Sequence, residues 1–185
     1  RFAATIATLS HARQAPGGND AEQQIMALTC GYRVAALLLA TTGITTGNMV
    51  IVRDGGVLVS SGGAIQIGAS AAVSEGSTLI LTNGGKVTNV GQTYLTGFRS
   101  LLKIDGGSLP ATSTVLSNGG FLMHGVGNQV IATNALINST GVASLGSITG
   151  AGNTYSNSLT ILANAIWNLN NNAMTLGWGN SSGHT

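Results

Sequence analysis

Acid–base chemistry needs carboxylates that converge, and this chain has only five: Asp20, Glu22, Asp54, Glu75 and Asp105. Enzymes that cleave polysaccharides set two carboxylates about a scissile bond, often beside Arg or Lys that hold an acidic sugar. Here Asp54 and Asp105 each precede a Gly-Gly pair, a turn context that explains them, and Glu75 has no acidic neighbour in sequence. Thiol chemistry would need Cys30 with a histidine partner. His11, His124 and His184 form no recognisable signature with it, and a lone cysteine usually packs as a small hydrophobe. His124 stands between Met123 and Gly125 with no partner at metal-ligand spacing. "SNGGFLMHG" lacks the Asp of a calcium-binding nonapeptide, and "GAGNTYSNS" lacks the Lys-Ser/Thr that completes a phosphate loop. No catalytic, cofactor-binding or metal site is expected. Trp167 reads as core, whereas Trp178, after Gly177, is a candidate to stack on a sugar ring.

What must position these residues follows from composition. Only 6% of the 185 residues are charged, against about 25% in ordinary soluble domains. The polar surface must therefore come from Ser, Thr and Asn. With 28 Gly and 2 Pro, that mix suits short strands and frequent bends, and disfavours exposed helices, which carry Glu and Lys. The net charge is +2, and the seven basic residues (Arg1, Arg13, Arg33, Arg53, Lys86, Arg99 and Lys103) are scattered. A nucleic-acid partner would require a basic patch or stripe, so none is expected.

Residues 1–46 read differently from the rest, as an N-terminal cap or leader segment. "AEQQIMALTCGYRVAALLLATTG" contains the good helix formers, with Asn19 or Asp20 to start a helix and Gly43 to end it. If translation began at Met26, the same stretch would resemble a signal peptide. The apolar run 34–40 is too short to span a bilayer.

From residue 47 to 185 the chain repeats. Register starts at Val50, Leu79, Leu101, Val130 and Leu159 are spaced 29, 22, 29 and 29 residues. One turn column then holds Asp54, Asn83, Asp105 and Asn134, and the next holds Gly55, Gly84 and Gly106. A later column holds Gly68, Gly97, Gly119 and Gly177. Such recurrence, with a loop of variable length between corners, is the mark of a solenoid. The expected fold is all-β: a right-handed parallel β-helix of about five coils with 22–29-residue repeats, preceded by a short helical or irregular cap. Gly, Asn and Asp at the corners suit positive φ, and stacked Asx side chains can bond from coil to coil. Inward candidates include Val50, Val52, Val57, Val59, Leu79, Leu81, Leu101, Ile104, Leu122, Leu136, Leu145 and Leu176. Lys103 then falls in an apolar column. A slip of one residue, placing Leu102 and Ile104 inside, would remove that misfit.

"LILTNGGKVTNVG", "LLKIDGG" and "SNSLTILANAIWNLNNNAMTLGWGNSSG" resemble the repeats of bacterial autotransporter-associated β-strand proteins and kindred long surface β-helix proteins. The resemblance covers residues 47–185. It implies a secreted or surface-displayed module, usually part of a longer adhesive or structural protein. The expected function is thus a non-enzymatic extracellular repeat module at the cell surface. Its partner would be itself, through solenoid ends or neighbouring repeats, because a coil array needs its last edge covered and the chain stops where a next coil should start. The alternative is a carbohydrate-binding or depolymerising β-helix, with glycans as partner, which requires a groove carrying two or more carboxylates and aromatics. No membrane span is expected.

Overall fold

The computed structural model describes residues 5–9, 25–28, 31–39, 45–68, 74–146, 154–177 and 181–185. The chain winds through four files of short strands, and every strand pairs in parallel with its equivalent one lap away. File one is slight: Thr45–Thr46, Ser74–Glu75, single bridging residues Phe98 and Val126, Thr154–Tyr155 and Ser181–Ser182. File two is a six-stranded sheet of Ile25–Leu28, Met49–Val52, Thr78–Thr82, Leu101–Asp105, Gln129–Thr133 and Ser158–Ile161. File three holds Val57–Ser60, Lys86–Val90, Val115–Asn118, Leu136–Ser139 and Ile166–Asn168. File four holds Ile65–Ile67, Thr93–Leu95, Phe121–Met123, Ala143–Leu145 and Met174–Leu176. This is a parallel β-solenoid.

Residues read as a helix instead extend the sheets. Ile25–Leu28 pairs with Met49–Val52. The nine-residue strand Gly31–Leu39 spans files three and four, pairing with Val57–Ser60 by its first part and Ile65–Ile67 by its last. Thr5–Leu9 lies against it one lap below. Helix propensity is a weak prior, and an apolar stretch beside an open sheet edge gains more by completing the ladder. The ladders therefore cross position 46.

The ladder also fixes the register. Val50, Leu79, Leu102, Val130 and Leu159 are mutual partners, so the third start is Leu102 and not Leu101. Leu102 and Ile104 are buried, Leu101 faces out, and Lys103 reaches Asp105 on the outer face at 3.4 Å. A slip of one residue inverts every side chain of a strand, and core burial of two apolar residues, about 1.5–3 kcal/mol each, decides against leaving Lys103 inside. The same parity corrects three other strands. Leu58 and Ser60 point inward, not Val57 and Val59; Phe121 and Met123, not Leu122; Ile137, not Leu136. The resulting core is one continuous column of Val, Leu and Ile, with Phe121 as its largest side chain. Trp167 closes it in the last lap, edge-on to Phe121 with centroids 5.2 Å apart, its Nε1–H donating to Ser139 Oγ at 2.9 Å.

Candidate functional site

Between files two and three the corner is tight. Asp54 (φ 53°) and Gly55 (φ 76°) form its centre in one lap, Asn83 (φ 48°) and Gly84 (φ 84°) in the next. Gly56 N–H donates to Arg53 C=O at 2.8 Å and Gly85 N–H to Thr82 C=O at 2.9 Å. Two successive positive-φ residues inside a four-residue turn is the pattern that favours Asn-Gly and Asp-Gly. Asn83 Nδ2–H donates to Asp54 Oδ1 at 2.6 Å, an Asx contact from one lap to the next. Asn134 (φ 47°) holds the same column, and its Nδ2–H donates to Gly107 C=O at 2.7 Å.

Asp105 and Gly106 do not share these roles. Asp105 ends its strand, paired with Thr82 and Thr133, and its Oδ1 accepts from Gly107 N–H at 3.0 Å. Gly106 fills the column position without positive φ; Gly107 takes that conformation at φ 61°. The third corner is a longer excursion through Pro110 and the 3-10 turn Ala111–Ser113, so its "DGG" aligns with the others in letters but not in space.

The second glycine column also separates into parts. Gly68 and Gly177 follow their file-four strands at positive φ, as does Gly146, which sequence spacing missed. Gly97 (φ 76°) lies two residues beyond the strand end, after Thr96, beneath Gly125. Gly119 belongs to the corner between files three and four, where a Cβ would come within 2.2 Å of Gly91 C=O. That position demands closeness of two backbones, not an unusual φ.

The most regular corner, between files one and two, was not legible in the original register. Gly47, Gly76, Arg99, Gly127, Ser156 and Gly183 all have positive φ, from 51° to 70°. Each of the first five donates its N–H to the file-one residue one lap on, at 2.9–3.0 Å. The following residue points inward: Asn48, Ser77, Ser100, Asn128 and Asn157, each at most 5% exposed. Asn128 Oδ1 accepts from Ser100 N–H at 2.7 Å, and Asn157 Oδ1 from Asn128 N–H at 2.8 Å. Asn128 Nδ2–H donates to His124 C=O at 2.7 Å, and Asn157 Nδ2–H to Gly125 C=O at 3.1 Å. In this polar ladder Asn128 and Asn157 thereby satisfy corner N–H and C=O groups that no strand pairs, while Asn48 Nδ2 and Ser77 Oγ are buried without a partner among the described residues. His184 occupies the ladder's next position, because Ser182 pairs with Tyr155 and Thr185 N–H donates to Asn157 C=O at 3.0 Å.

Asp20 and Glu22 lie outside the described residues, and the three described acidic residues are dispersed by this geometry. Asp54 is 3.4 Å from Arg53, Asp105 3.4 Å from Lys103, and Glu75 pairs with Arg99. Asn83 stands between Asp54 and Asp105, while Glu75 lies at the opposite end of the file-two strands. His124 lines a small hollow of about 180 Å³ with Gln66, Tyr94 and Thr96, and burial lowers its pKa from the usual imidazole value. Among the described residues no group of three or more His, Cys, Asp or Glu could hold a metal, and no helix is long and apolar enough to cross a membrane. Cys30, His11 and Trp178 lie outside the described residues.

The last lap is uncovered. Ile161, Met174 and Leu176 register on Ala132, Ala143 and Leu145, which are buried. Yet they are themselves 41%, 37% and 59% exposed. They point into the tube, as their partners in the lap below do. Compared with known proteins, the chain matches no family model, no curated protein and no solved structure.

Proposed function

We propose that the chain is a non-enzymatic structural or adhesive repeat module of an extracellular or cell-surface protein. The exposed edge of the lap at residues 158–176 stacks on a further parallel rung, supplied by following chain, by neighbouring repeats or by a second copy. The observation that carries this reading is the exposure of Ile161, Met174 and Leu176 on an edge whose equivalents in every earlier lap are sealed. Covering the part still exposed gains about 1 kcal/mol per side chain, and the unpaired parallel edge offers the ladder on which another rung fits. A heterologous contact of this kind propagates when it does not close. The sparse charge, the Ser/Thr/Asn surface and the resemblance to surface β-helix repeats support the extracellular setting.

Sedimentation velocity across a range of protein concentrations tests it. The chain is expected to grow with concentration, and Leu176→Asp, which places a charge on the open edge, is expected to remain monomeric. A wild-type chain that sediments as one monomer at every concentration would overturn assembly through this end.

A further inference from the structure

The structure carries a second feature, on the side of the solenoid and independent of its open end. File one presents a single outward column of partners in register: Glu75, Phe98, Val126 and Tyr155. Three rung steps of about 4.8 Å make this a strip of roughly 14 Å along the axis. Beside it runs the positive-φ corner column. Because Gly127 has no side chain, a hollow of about 290 Å³ opens there, lined by Glu75, Phe98, Arg99, Val126 and Gly127.

Arg99 is the anomaly of that column. Four of its six members are glycine, and only Arg99 carries a long side chain at positive φ (51°). Glycine would relieve that strain. The ion pair with Glu75 does not account for the arginine, since the two side chains are 77% and 48% exposed, and pairs so exposed contribute little. A strained residue retained without structural return points to a functional role. The stem of Arg99 passes over Gly127, whose Cβ position lies 3.6 Å from Arg99 Cγ, so the guanidinium is held at the edge of the hollow.

We infer that this hollow binds an uncharged saccharide. Phe98 in the hollow offers aromatic surface to the apolar face of a pyranose ring, and the 39%-exposed Tyr155, two rungs further along the strip beyond Val126, is placed to meet the next residue of an oligosaccharide. The guanidinium of Arg99 and the carboxylate of Glu75 are planar groups that hydrogen-bond through two atoms at once, matching neighbouring hydroxyls at the ring edge. Charge balance at the hollow selects a neutral ligand: its one carboxylate, Glu75, already faces its one cation, Arg99.

The test is a solution NMR titration of the nitrogen-labelled full chain with neutral gluco-, manno-, galacto- and chito-oligosaccharides, beside an oligouronate. Neutral probes are expected to shift the amides of Glu75, Phe98, Arg99 and Gly127 at millimolar concentration. Arg99→Gly is expected to melt no lower than wild type while binding about tenfold more weakly or worse. Phe98→Val, which places in the column the residue found at position 126, is expected to weaken binding without loss of fold. The assembly-blocked Leu176→Asp chain is expected to bind as wild type, so the two proposals fail separately. Absence of shifts with every neutral probe, tighter binding of the oligouronate, or unchanged binding by Arg99→Gly would each overturn the inference.

Discussion

Replacing Asn128 by Ala tests the polar ladder that closes each lap. The side chain is fully buried. Its Oδ1 is the acceptor for Ser100 N–H at 2.7 Å, and its Nδ2–H groups serve His124 C=O at 2.7 Å and Gly97 C=O at 3.3 Å. Gly97 C=O keeps another partner, Val126 N–H at 2.9 Å, so the variant orphans two backbone groups rather than three. An unsatisfied buried group costs about 1–3 kcal/mol, which places the loss for two groups at about 2–6 kcal/mol. With a urea slope of about 2 kcal/mol per molar, the unfolding midpoint falls by roughly 1–3 M. Asn138→Ala is the control: the same residue type, half-buried on the outward side of file three, where a surface change moves stability by only about 0.5 kcal/mol. Linear arrays can unfold piecewise, so amide exchange at Ser100 gives a second readout and is expected to accelerate in Asn128→Ala alone. Equal midpoints for the two variants, with Ser100 exchange unchanged, would refute a structural role for the ladder.

Two further outcomes follow from the corners and from His124. Gly119→Ala places a methyl 2.2 Å from Gly91 C=O, a contact relieved only by parting two laps; thermal melts are expected to show a loss of about 1–3 kcal/mol, and an unchanged melting temperature would show that the laps are not so closely stacked. Burial lowers the His124 pKa in the folded chain relative to about 6.5 unfolded. The unfolded chain therefore takes up the proton first, and stability is full above that value and declines as pH falls toward the folded pKa. His124→Gln is expected to flatten this decline in melts at stepped pH, and a parallel decline in both proteins would assign it to other groups.

How far the sequence discloses this molecule depends on why each residue recurs. Asp54-Gly55 and Asn83-Gly84 recur because one turn geometry requires positive φ at both positions, and a chemical cause so local leaves a readable column. Glycine, however, serves two unrelated needs here. Gly97 supplies a left-handed backbone, Gly119 permits the approach of a neighbouring lap, and Gly68 does both; a one-letter column merges them. That merging placed Gly119 with Gly68, and "DGG" at 105–107 with "DGG" at 54–56, which displaced the third start from Leu102 to Leu101. The error then concealed the corner of highest regularity. Counted from Leu102, the residue two positions before each start is Asn48, Ser77, Ser100, Asn128 or Asn157, and the pattern is complete; counted from Leu101, it breaks at Arg99. Strand alternation turns polar residues outward, and that rule does not hold where a corner turns its own N–H and C=O groups into the tube. The pattern also distinguishes two kinds of departure from the repeat. His184, in the ladder position after Asn157, is enclosed against Gly146, where any Cβ would meet the ring, and its buried ring nitrogens find no partner among the described residues. Arg99, among glycines, is instead exposed to solvent. A departure enclosed by neighbouring laps is held by packing, and one that the fold merely tolerates belongs to something outside the fold, which is why Arg99 rather than any acidic residue marks the surface to probe.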